Sequence, residues 1–172
     1  LGSDIIENNL RSLWLIATTL IVFGVILGLA DTYGKRERTL DQLTNRHGIM
    51  YGLAQALALM PGVSRSGATI AMGRFLGYKR EAALRYSFLL ALPAVFGSGF
   101  YQLQGALSSQ ESNVFSLTET AVATGIAFVV GYLVIAWLLK FVSTKSFMPF
   151  IIYRIALGTL LLILLGTGVI SA

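Results

Sequence analysis

The stretch Pro61-Gly62-Val63-Ser64-Arg65-Ser66-Gly67-Ala68-Thr69 gathers groups that together suit an anion. Gly62 and Gly67 permit close backbone approach and dihedrals that other residues avoid. Ser64, Ser66 and Thr69 carry hydroxyl donors, and Arg65 carries a planar fork matched to phosphate oxygens. Residues 66–69 stand where a helix would open, and the first amides and dipole of a helix favour negative charge. The chemistry this predicts is the holding of a phosphate. Its bland alternative is a helix-breaking turn whose Ser and Arg satisfy stray carbonyls with nothing bound.

The elements around this stretch decide between the two. Of 172 residues, 55% are hydrophobic and 12% charged, against roughly a quarter charged in a soluble domain. The mean hydropathy is +0.74. Apolar runs at about 12–30, 86–103, 120–139 and 150–170 are each long enough to cross a hydrocarbon core of ~30 Å. The runs at 49–60 and 68–77, on either side of the Ser-Arg-Ser turn, are each about half that long and predict two half-helices joined by irregular backbone. At membrane depth an arginine costs at least ~2.5 to 3.5 kcal/mol, so Arg65 reads as functional. Irregular backbone there must be wrapped by protein or line a wet cavity.

Loop charge gives the orientation. Lys35, Arg36, Arg38 and Arg46 lie in the loop at 31–46, Lys79, Arg80 and Arg85 in 78–85, and Lys140 and Lys145 in 140–149, whereas 104–119 carries Glu111 and Glu119 with no Lys or Arg. Basic loops share the cytoplasmic side. They do so only if the broken segment enters and leaves on one face, leaving Arg11 as the single basic residue outside. The expected fold is an all-α integral membrane protein with four transmembrane helices and one re-entrant helical hairpin broken at Pro61–Gly67. It forms one membrane domain over 1–172, with both termini outside.

The absence of cysteine excludes thiolate chemistry and disulfides. A net charge of +5 sets orientation here and does not indicate nucleic acid, since no soluble basic face exists to carry it. The start at Leu1, without a small-residue cleavage site, does not read as a signal peptide and suggests part of a longer protein. Among the other polar residues, Arg74 is expected to snorkel to the cytoplasmic interface, and His47 to be a solvated loop histidine. Gln55 either braces the turn or bonds a neighbouring helix, and Arg154 either snorkels or faces the interior. Glycines 24, 28, 125, 131, 158, 166 and 168 read as close helix packing.

Residues 52–69, Gly-Leu-Ala-Gln-Ala-Leu-Ala-Leu-Met-Pro-Gly-Val-Ser-Arg-Ser-Gly-Ala-Thr, resemble a signature of the undecaprenyl-diphosphate phosphatase, or bacitracin-resistance, family. Tyr86-Ser87-Phe88-Leu89-Leu90-Ala91-Leu92-Pro93, and Phe147-Met148-Pro149-Phe150 with Tyr153-Arg154, resemble its following helix and its last loop and span. The resemblance covers nearly the whole chain and implies an inverted-repeat fold, with the last helix of the first repeat at about 12–30 and the second repeat at about 42–172. It implies hydrolysis of undecaprenyl diphosphate to the monophosphate carrier used for peptidoglycan, in the bacterial plasma (inner) membrane.

By the same resemblance Arg65 and Ser64 are catalytic, Ser66, Gly67, Thr69 and Gly62 bind substrate phosphate, and Gln55 and Arg154 support them. A divalent cation, Mg2+ or Ca2+, is implied. Its carboxylate ligands, with the family's other glutamate- and histidine-bearing signature, match nothing in this chain. The partners implied are a polyprenyl diphosphate lipid and the bilayer, with no nucleic acid and with room for a homodimer. Competing readings are a carrier or flippase for a phosphorylated lipid, since broken helices also bind anions in transporters, and a non-catalytic scaffold, which leaves Arg65 unexplained.

Overall fold

The computed structural model describes residues 12–108 and 117–170, and every α or 3-10 element in it is helical. In chain order the described helices are α1 Leu13–Tyr33, α2 Asn45–Ala56, α3 Arg65–Phe75, α4 Arg80–Ser108, α5 Leu117–Thr144 and α6 Met148–Gly166. Short 3-10 turns stand at Leu40–Gln42 and Leu57–Leu59. Four helices are long and apolar enough to cross a membrane: α1, Arg80–Gln104 of α4, Thr118–Thr144 of α5, and α6. At 1.5 Å per residue, the 21 residues of α1 reach ~31 Å. Arg11 and the loop residue Glu111, used above for orientation, lie outside the described residues.

The helix ends differ from the ends of the apolar runs. α4 begins at Arg80 and carries Glu81 in its first turn, several residues before the apolar run at 86. Backbone hydrogen bonding continues where a lipid-facing surface has stopped, so hydropathy marks the buried length of a spanning helix and not its caps. α4 also contains Pro93, which removes a donor from the helix interior. α6 opens with a proline at its first positions, where the missing N–H is not needed.

The two half-helices are α2, with 12 residues, and α3, with 11, or ~18 and ~16 Å. Thr44 caps α2 by accepting the His47 amide, and Ser64 caps α3 by accepting the Gly67 amide at 3.1 Å. Where the chain leaves α3 it meets the chain entering α2. The Arg38 amide donates to the Gly77 carbonyl at 3.0 Å and the Lys79 amide to the Arg38 carbonyl at 2.9 Å. The pair is therefore a helical hairpin closed at its base.

α1 packs on α6 and α3, and α3 in turn on α2 and α4. Small residues let α1 and α6 approach. A Cβ on Gly24 would meet Ile155, one on Gly28 would meet Ile151, and one on Gly158 would overlap Ile21 and the Ala17 carbonyl. Gly125, Gly131, Gly166 and Gly168, expected at similar contacts, have open space around them. The outward surface of α5, with Ile126, Phe128 and Leu133 exposed, is apolar, as a lipid-facing helix is.

A buried ionic knot joins four helices at the hairpin base. Asp31, near the end of α1, accepts from Arg80 Nε and Nη2 at 2.6 and 2.8 Å and from the Phe147 amide at 3.3 Å. Arg74 is fully buried, with Nε 3.4 Å from Asp31 Oδ1. Its other nitrogens donate to the carbonyls of Tyr78, Gly34, Lys35 and Asp31. The expectation that Arg74 snorkels is overturned: the guanidinium turns inward because a carboxylate and loop carbonyls wait there, and only a five-donor fork serves several at once.

His47 is likewise not a solvated loop histidine. Arg38 Nη1 lies 3.1 Å from its Nε2 and the Tyr78 hydroxyl 2.7 Å from its Nδ1. Arginine only donates, so Nε2 accepts, the ring is neutral, and Nδ1–H donates to Tyr78. The Tyr78 hydroxyl then passes its own hydrogen to the Gln42 carbonyl at 3.2 Å. Partial burial, aided by the charges of Arg38 and Arg46, holds the His47 pKa below its ordinary value.

Candidate phosphate site

The turn between the half-helices is held by the spanning helices on either side. Thr19 of α1 donates to the Pro61 carbonyl at 2.8 Å, and Arg154 of α6 donates to the Gly62 carbonyl at 3.0 Å. The irregular backbone is thus wrapped by protein. Gly62 has φ +84, and a Cβ there would collide with Thr19 Oγ1 and the Ile16 carbonyl. Its glycine character serves close approach to α1.

Beyond the turn, Ser64 Oγ holds the Gly67 amide and lies 3.3 Å from Ser66 Oγ. Ser64, Ser66, Gly67, Tyr153 and Arg154 line a cavity of about 490 Å³ whose other lining residues are apolar. A Cβ on Gly67 would stand 3.1 Å from an Arg154 guanidinium nitrogen, so the missing side chain is what admits the arginine to the first turn of α3. Arg154 is 8% exposed. Its Nε has no hydrogen-bond partner, and among the described residues no carboxylate pairs with it. Of the two alternatives for Arg154, the interior one holds. The sequence signal was present, since Arg154 stands four residues beyond Phe150 in the last apolar run.

Three expected site residues do not line this cavity. Arg65, the first residue of α3, is exposed and does not line this cavity. Thr69 is fully buried and its hydroxyl is occupied: Ser87 Oγ of α4 lies at 2.6 Å, and the Arg65 and Ser66 carbonyls accept at 2.9 and 3.1 Å. As a phosphate donor Thr69 is thereby corrected to a strut between α3 and α4. The buried Oε1 of Gln55 has no partner, so no bond from that oxygen braces the turn or links a neighbouring helix.

Among the described residues no group of three or more His, Cys, Asp or Glu side chains could hold a metal ion. The polar end of the cavity offers hydroxyls, amides and a guanidinium, a donor set that suits an anion and does not fit a divalent cation.

Four membrane-length helices and a broken hairpin, with an arginine buried at the mouth of its second half, define a multi-pass membrane protein with an anion-suited site inside its helices. The profile of the bacitracin resistance protein BacA family matches residues 1–160, and the chain belongs to that family. Undecaprenyl-diphosphatase of Pseudarthrobacter chlorophenolicus is 62% identical over 100% of this chain and 62% of its own length. The protein of that name from Micrococcus luteus is 58% identical over 98% of this chain and 61% of its own. Undecaprenyl-diphosphatase 2 of Agrobacterium fabrum is 60% identical over 98% and 60%. The chain thus spans about three fifths of the length of these curated relatives.

Proposed function

We propose that this chain carries one half of the active site of a bacterial plasma-membrane enzyme that hydrolyses undecaprenyl diphosphate to undecaprenyl phosphate and inorganic phosphate. The enzyme would return the lipid carrier to peptidoglycan synthesis and confer resistance to bacitracin. The observation that carries the reading is identity of 58 to 62% across nearly the whole chain with proteins named undecaprenyl-diphosphatase. The geometry supports it with a charged, hydrogen-bonding anion site set against apolar walls.

In the net reaction the bond from the terminal phosphorus to the bridging oxygen breaks, the terminal phosphorus gains the oxygen of water and leaves as inorganic phosphate, the water protons pass to phosphate oxygens or solvent, and the inner phosphate stays on the lipid. Such transfer depends mainly on positioning and on neutralising the phosphate oxygens. Arg65, Ser64, Ser66, Arg154 and the first amides of α3 supply this. The carboxylates and histidine of the family's other signature, and ligands for a divalent cation, would come from the part of the relatives that this chain does not span.

The hairpin would enter and leave the membrane from the cytoplasm, which single cysteines at Arg36 and Lys79 test: both are expected to label only from that side. The reaction is tested by phosphate release from undecaprenyl diphosphate by the intact protein in detergent, where transport is impossible. Release is expected. Tight lipid binding without release would favour a carrier, and chain 1–172 alone matching the intact protein would overturn the division of the site.

A further inference from the structure

A second hollow, of about 480 Å³, opens at the far end of α3 from the Ser-Arg-Ser turn, where α1 also ends. Its lining is Tyr33 at the end of α1, Lys35, Glu37 and Arg38 of the loop that follows, and Phe75 and Leu76 at the end of α3. α1 is a membrane-length helix that stops at Tyr33, so a charge two residues further on stands at headgroup depth. Tyr33 is 77% exposed, and a tyrosine at the end of a span marks the membrane interface. Phe75, 54% exposed, adds an apolar ring beside it.

The basic groups on this hollow are held in place and lack a counter-charge. Arg74 donates to the Gly34 and Lys35 carbonyls at 2.9 and 3.2 Å, and the Glu37 and Arg38 amides donate to the Gly77 carbonyl at 3.1 and 3.0 Å. The loop is thereby fixed on the end of α3. Arg38 uses one nitrogen, Nη1, for both the Leu76 carbonyl and His47. Its Nε and Nη2 bond no described residue, and together they form the edge of a guanidinium that grips two oxygens of one anion.

Among the described residues, Arg74 and Arg80 are the only lysines or arginines in an ion pair. Glu37, the one carboxylate on the hollow, therefore pairs with neither Lys35 nor Arg38. Lys35 and Arg38 against Glu37 leave one positive charge on the lining, and the exposed Arg36 between them adds a second.

An open cationic fork beside an exposed apolar ring fits a molecule that is anionic at one end and apolar at the other. We propose that the hollow seats one acidic phospholipid of the surrounding leaflet, its phosphate on Lys35 and the Nε and Nη2 edge of Arg38, its first acyl carbons along Phe75. Basic pockets at the ends of spanning helices hold headgroups in this way. The lipid joins the end of α1 to the end of α3 and so clamps the base of the hairpin. It is bound and not consumed, so the proposal stands apart from the diphosphatase reading.

The test uses the intact protein in a neutral detergent, with phosphatidylglycerol, phosphatidylcholine and inorganic phosphate as probes. Native mass spectrometry counts bound lipid, and Tm is followed alongside. The wild type is expected to retain phosphatidylglycerol over phosphatidylcholine, and to gain Tm from phosphatidylglycerol alone. Lys35→Gln leaves the backbone bonds of the loop intact and is expected to bind phosphatidylglycerol about fivefold more weakly, the scale of one cation near an anionic lipid surface. Arg38→Lys keeps the charge without the fork and is expected to weaken binding as well, with folding checked by its Tm without lipid. Lys145→Gln removes the same charge from a residue that does not line the hollow, and is expected to change nothing.

Equal retention of the two lipids by the wild type would overturn the proposal. So would an equal gain in Tm from inorganic phosphate, which would leave a site for a bare anion. Lys35→Gln binding as tightly as the wild type would remove the headgroup contact. Lys145→Gln weakening binding as much as Lys35→Gln would replace the site by the general field of a basic surface.

Discussion

At Thr69 a hydroxyl sits 2.6 Å from Ser87 Oγ with no exposure to solvent, and it ties the second turn of α3 to α4. Replacing it by Val leaves Ser87 buried without that partner, at a cost of about 1 to 3 kcal/mol. Thr69→Val is expected to lower the Tm in detergent, and Thr69→Ser to restore it. An unchanged Tm with lost turnover would instead put the hydroxyl on the substrate. The Ser-Arg-Ser turn was legible because Pro61, Gly62 and the flanking half-length apolar runs lie together in sequence. What the sequence leaves open is direction. Arg65 and Thr69 stand four residues apart on one helix, yet one is exposed and the other buried, because Ser87 and Arg154 come in from α4 and α6.

The hairpin is an element held at its base by side chains as well as by backbone. His47 accepts from Arg38 and donates to Tyr78 only as a neutral ring. Tyr78 is itself fully buried, and burial raises its pKa, so the phenol remains a donor at physiological pH. With the folded-state pKa of His47 held below its ordinary ~6.5, the stabilisation is complete above that value. It fades as pH falls through it toward the lowered folded value.

Protonation puts a second donor against Arg38. Hydrogen exchange at the Lys79 amide, bonded to the Arg38 carbonyl, is expected to gain protection from pH 5 to 7.5 beyond the intrinsic pH effect, and His47→Gln to abolish that dependence. A slope surviving in His47→Gln would assign it to another group. This base was not legible because it joins residues 38, 47 and 78, which no local pattern relates.

For the whole molecule, Asp31 is the shared partner of Arg80, Arg74 and the Phe147 amide, and so couples α1, the hairpin, α4 and the start of α6. Asp31→Asn would leave the buried Arg74 and the partly buried Arg80 without their counter-charge. Breaking a buried pair in this way costs about 3 to 5 kcal/mol, and the variant is expected to unfold at markedly lower temperature in detergent. A Tm equal to the wild type would mean that water already compensates the cluster. Four spanning helices were legible from apolarity alone, since the bilayer leaves a chain few options. The knot was not, although an aspartate in the last turn of a spanning helix signals a buried cation nearby.

The central claim, that the turn at residues 64–67 holds a substrate phosphate, is tested most directly at Arg65 in the intact protein. The measurement is turnover of a polyprenyl diphosphate by Arg65→Lys and Arg65→Ala against the wild type, with folding checked by thermal unfolding. An ammonium keeps the charge but not the two-point fork. Losing one aligned transition-state contact is worth roughly a hundred- to thousandfold in rate. Both variants are therefore expected to fall by about that factor while remaining folded. Arg65→Lys keeping most of its activity would contradict the account, leaving Arg65 as a source of field or structure and moving the phosphate away from this turn.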